Sequence, residues 1–396
     1  MNRVEANEAN CCGCGACMNA CPFCAISMQA DEKGFLYPVV DEMKCVDCGM
    51  CTRSCPIATK KKEESTFHQR IFALQLKDRD LLKKSTSGGA FSLFAEDVLK
   101  DGGVVFGAVL NAELKVRHIG VSDVDGLSVM RGSKYVQSDT EKTFSEVLSL
   151  LKDGRRVMYT GTPCQVDGLT RFLDAKGVSR DKLLTVDLLC HGVPSPKVWH
   201  DYTKYLERKH GARLKDYKFR TKLAGWENSI ELAEFENGKK IKNAEDIRAF
   251  LSLFYKNASL RPLCYTCPYT TYERSSDITI GDFWGIDKTH PELNDNRGIS
   301  VVLINTKKGL SATDLMKENA VVIESDKDSC KQQALMNPAQ QRVDLDAFWS
   351  DYEKFGFDYI AEKYAKRSRL SLFKVRLITF LYKIKLLKYF KKILGR

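Results

Sequence analysis

The stretch Cys11-Cys12-Gly13-Cys14-Gly15-Ala16-Cys17-Met18-Asn19-Ala20-Cys21-Pro22 sets a spacing that Cys45-Val46-Asp47-Cys48-Gly49-Met50-Cys51-Thr52-Arg53-Ser54-Cys55-Pro56 repeats. In each run three thiols sit close enough to wrap three corners of one cubane, and a fourth follows after a longer gap, directly before proline. Structural zinc prefers paired C-x2-C knuckles separated by a longer insert. Two complete runs, each closed by proline, therefore point to [4Fe–4S] clusters rather than zinc. Gly13, Gly15 and Gly49 lie between ligands, where the chain must turn tightly and bring its N–H groups near the sulfides.

In two-cluster bacterial ferredoxins the fourth cysteine of each run serves the other cluster. The same crossing assigns Cys11, Cys14, Cys17 and Cys55 to one cluster and Cys45, Cys48, Cys51 and Cys21 to the second. Cys12 and Cys24 fall outside the pattern and read as free buried thiols.

Outward from these runs, composition divides the chain. Of 15 cysteines, ten lie between Cys11 and Cys55. Met1 to Asn10 is polar and carries no apolar signal core, so a reducing cytoplasm with metal-bound thiols is expected rather than disulfides. The formal charge is +11, but Lys366 to Arg396 hold eleven Lys and Arg with no acid, and the remainder balances at 51 bases against 51 acids. A neutral body offers no basic groove for a phosphate backbone, which excludes nucleic acid as the expected partner. No run approaches the ~18 apolar residues of a membrane span.

The expected organisation is a two-cluster module over residues 1–59, a linker over 60–70, a body in two parts over 71–160 and 161–345, and a helical region with a basic tail over 346–396. The linker's Lys/Glu run, Lys60 to Glu64, stays solvated and leaves the module free as a unit. The body alternates β-branched runs with helical stretches. Strands are predicted at Val104–Val109, Arg156–Tyr159, Leu183–Leu189 and Ser229–Phe235, and helices at Phe91–Lys100, Phe144–Lys152 and Ser195–Arg208. This is an α/β rhythm, giving an α+β or α/β class overall.

A second set of cysteines is scattered through the body: Cys164, Cys190 and the pair Cys264 and Cys267. By spacing alone they suit zinc, a further cluster, or small core residues equally. Cys330 stands apart as an inert thiol.

Six segments in register carry a family resemblance: Thr86-Ser87-Gly88-Gly89-Ala90, Arg131-Gly132-Ser133-Lys134-Tyr135-Val136-Gln137, Gly161-Thr162-Pro163-Cys164-Gln165, Cys190-His191-Gly192, Cys264-x2-Cys267 and Asp277-Ile278-Thr279-Ile280-Gly281-Asp282-Phe283-Trp284-Gly285. The chain resembles the coenzyme F420 hydrogenase/dehydrogenase beta-subunit family, from about Phe72 to Gly285. The resemblance implies a flavin-binding catalytic domain holding FAD, with a third [4Fe–4S] cluster on Cys164, Cys190, Cys264 and Cys267. It places flavin contacts at Ser87, Gly88, Gly89, Lys134, Tyr135, Gly161 and Thr162. A glycine pair ahead of a helix presents N–H groups and the positive helix end, which suits a pyrophosphate or the flavin's N1/O2 edge. Lys134 and Tyr135 add a cation and a stacking face.

His191 and Asp282 invite an acid/base reading, yet hydride chemistry belongs to the cofactor. A structural histidine and a turn aspartate are expected, and no catalytic acid or base is assigned. The reading is an iron–sulfur flavoprotein oxidoreductase that passes electrons between a soluble carrier or redox partner protein and an organic substrate. The fused module weighs against coenzyme F420 itself as that substrate. A non-catalytic electron-transfer subunit is the alternative, and a zinc-containing nucleic-acid binder fails on the neutral body. In the tail, Leu370, Phe373, Leu377, Phe380, Leu381, Ile384, Leu387 and Phe390 alternate with lysines. That pattern fits an interfacial helix drawn to anionic lipid at the inner membrane surface, with docking on a protein as the other reading.

Overall fold

Gly15 and Gly49 occupy the same place in the two cysteine runs, and both adopt the left-handed conformation, φ 75° and 73°, that starts a short helix. Those helices, Ala16–Ala20 and Met50–Arg53, carry Cys17 and Cys51. Between the runs lies an antiparallel hairpin of β1 (Ile26–Ala30) and β2 (Leu36–Val40), paired from Ile26 with Val40 to Ala30 with Leu36. The structure, a computed structural model, describes residues 3–59 and 67–366 together with Leu377 and Phe380. The charged linker residues 60–66 and most of the basic tail lie outside the described residues.

The body is built on one eight-stranded sheet. Its strands are β3 (Arg70–Leu76), β4 (Val104–Leu110), β5 (Val116–Val121), β6 (Val157–Gly161), β7 (Leu183–Leu188), β11 (Ile278–Asp282), β12 (Ser300–Ile304) and β13 (Ala320–Ser325), in the order β13-β3-β12-β11-β7-β6-β4-β5. The four central strands, β4, β6, β7 and β11, run parallel. Antiparallel strands flank them on both sides. Buried on both faces, the central strands read as nearly continuous apolar runs, as parallel strands do. A smaller antiparallel sheet of β8 (Leu214–Thr221), β9 (Ile230–Phe235) and β10 (Lys240–Lys242) packs elsewhere, around an aromatic core that includes Trp199, Tyr202, Tyr217, Phe219 and Phe250.

The helix Pro163–Ala175 follows β6 directly. Thr162 caps it through a reciprocal pairing with Gln165, and Pro163 takes the first helical position, where a missing N–H is harmless. This helix buries Val166, Leu169, Phe172 and Leu173 in a core with Phe144 and Tyr159, and the same core takes in Cys12, Cys14, Ala16 and Ala20 from the module. The module is therefore fused to the body by a shared core, not tethered by the linker alone. Direct bonds add to this. The Thr140 hydroxyl donates to the Cys14 carbonyl at 2.9 Å, Asn19 Nδ2 to the Glu141 carbonyl at 2.8 Å, and Lys176 Nζ to the Ala20 carbonyl at 3.0 Å.

At the C-terminal end, the helix Leu345–Ile360 begins one residue before the expected start, with the Asp344 side chain accepting from the Ala347 N–H. Gly356, at φ 74°, interrupts it with a kink.

Candidate functional site

Three cavities are walled by cysteines. The first is lined by Cys11, Cys14, Cys17 and Cys55, with Cys12 beside them. The second is lined by Cys21, Cys45, Cys48 and Cys51, so the long-gap cysteine of each run stands with the other run's triplet. The third is lined by Cys164, Cys190, Cys264 and Cys267, and again by Cys12. Among the described residues no three His, Cys, Asp or Glu side chains converge on a single-ion site.

The three sites differ in exposure. Cys14 and Cys17 are buried, whereas Cys48 is exposed. Close approach at the first site depends on Gly168 in the helix Pro163–Ala175, where a Cβ would stand 2.8 Å from Cys14 Sγ. Cys12 is buried as expected and makes side-chain hydrogen bonds to both Cys14 and Cys164; the bond to Cys14 and burial push its thiol pKa up, while the bond to Cys164 pulls the other way. One thiol thus links the first and third sites. Cys24 departs from expectation: it is exposed, at the left-handed φ of 50°, in the turn after Pro22.

Beside the third site a cavity of about 700 Å³ opens over the carboxyl ends of the parallel strands β6, β7 and β11, where α/β sheets hold their ligands. Cys190, His191, Gly192 and Val193 line both cavities. Thr162 also lines the large one, and its hydroxyl lies 3.2 Å from Cys164 Sγ. Ser87, Gly89, Lys134, Tyr135 and Gly161 are on its wall. Gly88 lies behind that wall. Its N–H donates to Ser300 Oγ at 2.9 Å, and a Cβ there would meet the Leu74 carbonyl, so its glycine is required by strand packing. Gly89 heads the helix Ala90–Lys100 at φ 96°.

Lys134 Nζ donates to the carbonyls of Val129, Met130 and Arg131 at 2.9, 2.7 and 3.1 Å. Burial lowers its pKa to about 7. It ties the end of a short helix while its stem faces the cavity. Tyr135 packs on Phe254 and Phe219, with ring centroids 5.0 and 6.1 Å apart, giving the cavity an aromatic side.

His191 Nε2 lies 2.6 Å from Asn257 Oδ1, and burial lowers its pKa. Asp282 is not a turn aspartate. It ends β11, pairs with the Arg220 guanidinium, and accepts from Trp226 Nε1 at 2.6 Å. Trp284 stacks on Trp226 at 4.8 Å and also lines the cavity.

His118 was not singled out from sequence. It is 2% exposed, lines the large cavity, and stacks on Tyr159 at 5.3 Å. Its Nε2 is 2.9 Å from the Thr160 carbonyl, an acceptor, so the proton sits on Nε2. Burial lowers its pKa to about 4, and Nδ1 is a buried acceptor with no hydrogen-bond partner among the described residues. Nothing local in Val116–Val121 marks it, since its role arises from strand order.

A cysteine-lined module docked on an α/β body with a ligand-sized cavity at its strand ends defines an iron–sulfur redox protein. Residues 10–59 match the model of a 4Fe-4S dicluster domain, and residues 154–329 match that of the C terminus of the coenzyme F420 hydrogenase/dehydrogenase beta subunit. Over residues 154–329 the chain is related to that beta subunit; it carries a dicluster domain at its N-terminal end and is an iron–sulfur electron-transfer protein. A similar solved structure is a chain of the F420-reducing [NiFe] hydrogenase complex from Methanosarcina barkeri, 18% identical over 72% of this chain and 91% of that one, with a TM-score of 0.43. No curated protein matches significantly. No described helix is long and apolar enough to cross a membrane.

Proposed function

We propose that the chain is a flavin-dependent iron–sulfur oxidoreductase with three [4Fe–4S] clusters and one FAD. The observation that carries this reading is the wall shared by the third cysteine cavity and the large cavity, Cys190 to Val193, which brings a four-thiol site against a space of flavin size. Electrons enter from a soluble carrier or partner protein at the exposed Cys45 run. Clusters held by the Cys11 run and by the Cys164 set, with the Cys12 thiol lining both sites, would supply one-electron relays toward the large cavity. A flavin held in the large cavity by Ser87, Gly89, Tyr135 and Thr162 would supply the conversion between single electrons and the electron pair and proton exchanged with an organic substrate or deazaflavin.

This chain's own residues bind and orient. The helix end at Gly89 favours an anionic group. Tyr135 offers a stacking face, and the unpartnered Nδ1 of His118 is an acceptor suited to a flavin ring N–H. Asp282 and Arg220, paired on the cavity wall, mark where a polar substrate is recognised.

The test is iron, sulfide, zinc and flavin content on anaerobically purified protein. About twelve iron atoms and one FAD per chain are expected, the sum of three cubanes and one flavin. About eight iron atoms without flavin would instead make the chain a non-catalytic electron-transfer subunit.

A further inference from the structure

Among the described residues Arg261 is one of the largest fully buried side chains, 1% exposed, and its hydrogen-bond partners there are neutral. Nε donates to the Cys11 carbonyl at 2.7 Å, Nη1 to Gln137 Oε1 at 3.0 Å and Nη2 to the Leu36 carbonyl at 3.0 Å. The Tyr37 ring lies under the guanidinium, 4.3 Å from its centroid. Among the described residues no carboxylate reaches it. A buried guanidinium costs several kcal/mol unless an anion compensates it, and hydrogen bonds to neutral acceptors do only part of that work.

The missing anion has few places to be. Arg261 lines the third cysteine cavity, three residues ahead of Cys264, and its Nε holds the backbone of Cys11 in the first. Gln137 completes the arrangement: it accepts from Arg261 and donates to the Cys12 carbonyl at 3.0 Å, between the two sites. A cubane on four thiolates is a net anion in both oxidation states, and reduction adds one more negative charge.

We propose that Arg261 is the shared counter-cation of the first and third cluster sites, a positioning residue that sets the reduction potentials of both while locking the module to the body. The inference rests on the cluster assignment above. A fixed positive charge in a low-dielectric interior favours the more negative, reduced state of each neighbour. The second site, on the Cys45 run, is outside its reach.

The test is an EPR-monitored redox titration of the full-length, anaerobically purified chain and of Arg261→Met and Arg261→Lys. In R261M the one-electron reduction of two clusters is expected to become about tenfold less favourable, 59 mV each. The remaining cluster moves less than about twofold. R261K keeps the charge and is expected to hold all potentials within about twofold of wild type. Unchanged potentials in an R261M chain with full iron would overturn the proposal. So would an R261K chain that shifts tenfold or loses iron, and this second variant decides alone if R261M does not load its clusters. Iron content separates the two layers of inference. A wild-type chain with about eight iron atoms sinks the third cluster, and Arg261 then stands or falls on a shift in the one cluster beside Cys11.

Discussion

The two cysteine runs share one spacing and one backbone geometry, yet they live in different solvents. Cys14 is 7% exposed and packs in the same core as Phe144 and Leu169. Its counterpart Cys48 is exposed, in a loop where Val46 and Met43 are 58% and 95% exposed. The difference comes from the residues between the ligands. In the first run Ala16, Asn19 and Ala20 are small or hydrogen-bonded to the body, letting the helix Ala16–Ala20 approach the helix Pro163–Ala175. In the second run the helix Met50–Arg53 also touches the helix Pro163–Ala175, but less extensively, and Val46 and Met43 beside it stay exposed. Equal ligation chemistry is thus divided into a buried site that belongs to the body's fold and an outer site that meets solvent.

Replacing the paired positions is the strongest way to break this comparison. Cys14→Ser removes a ligand from a site that is also core, and should lower stability by about 4 kcal/mol in addition to losing about four iron atoms. Cys48→Ser should lose a similar amount of iron while the main unfolding transition stays within about 1 kcal/mol. Thermal unfolding under anaerobic conditions, with iron analysis, reads both. Equal destabilisation by the two variants would mean that the module folds as a single unit independent of the body.

A smaller and more local effect sharpens the point at Gly168. In an exposed helix interior, Gly→Ala gains about 1 kcal/mol from propensity. Here a Cβ would stand 2.8 Å from Cys14 Sγ, so the sign should reverse and Gly168→Ala should cost about 1–2 kcal/mol. Denaturant unfolding measures it. A stabilised G168A chain would show that the first site tolerates being pushed off the helix.

The sequence spoke clearly where the signal is local. Helices expected at Phe91–Lys100 and Phe144–Lys152 appear at Ala90–Lys100 and Thr143–Lys152, and the strand at Leu183–Leu189 appears at Leu183–Leu188. The cysteine triplets were legible because metal spacing is written into a few consecutive residues. What joins them was not. Arg261 reaches Cys11 across 250 positions, and Gln137 reaches Cys12 across 125. Neither has a spacing rule, since both contacts exist only once the module lies on the sheet's helix layer. His118 was hidden likewise in an alternating edge strand. Asp282 read as a turn residue, yet the partner that holds it, Arg220, comes from the separate small sheet. The motif around Lys134 read as a cofactor cation, whereas three nearby carbonyls take its ammonium. Residue type suggests a charge; the fold decides what it faces.

The gentlest probe acts on the outer site alone. Val46 sits between Cys45 and Asp47 in the exposed run and lines the cavity of the second cysteine set. Val46→Glu on so open a surface should change stability by no more than about 0.5 kcal/mol and leave iron content intact. If electrons exchange with a soluble carrier at this run, the added negative charge should slow reduction by an acidic carrier and do so most at low ionic strength, where the charge is least screened. Stopped-flow reduction at two salt concentrations reads this directly. A rate indifferent to both the substitution and the salt would place the point of entry elsewhere, and the exposure of Cys48 would then reflect only which face of the module the body leaves uncovered.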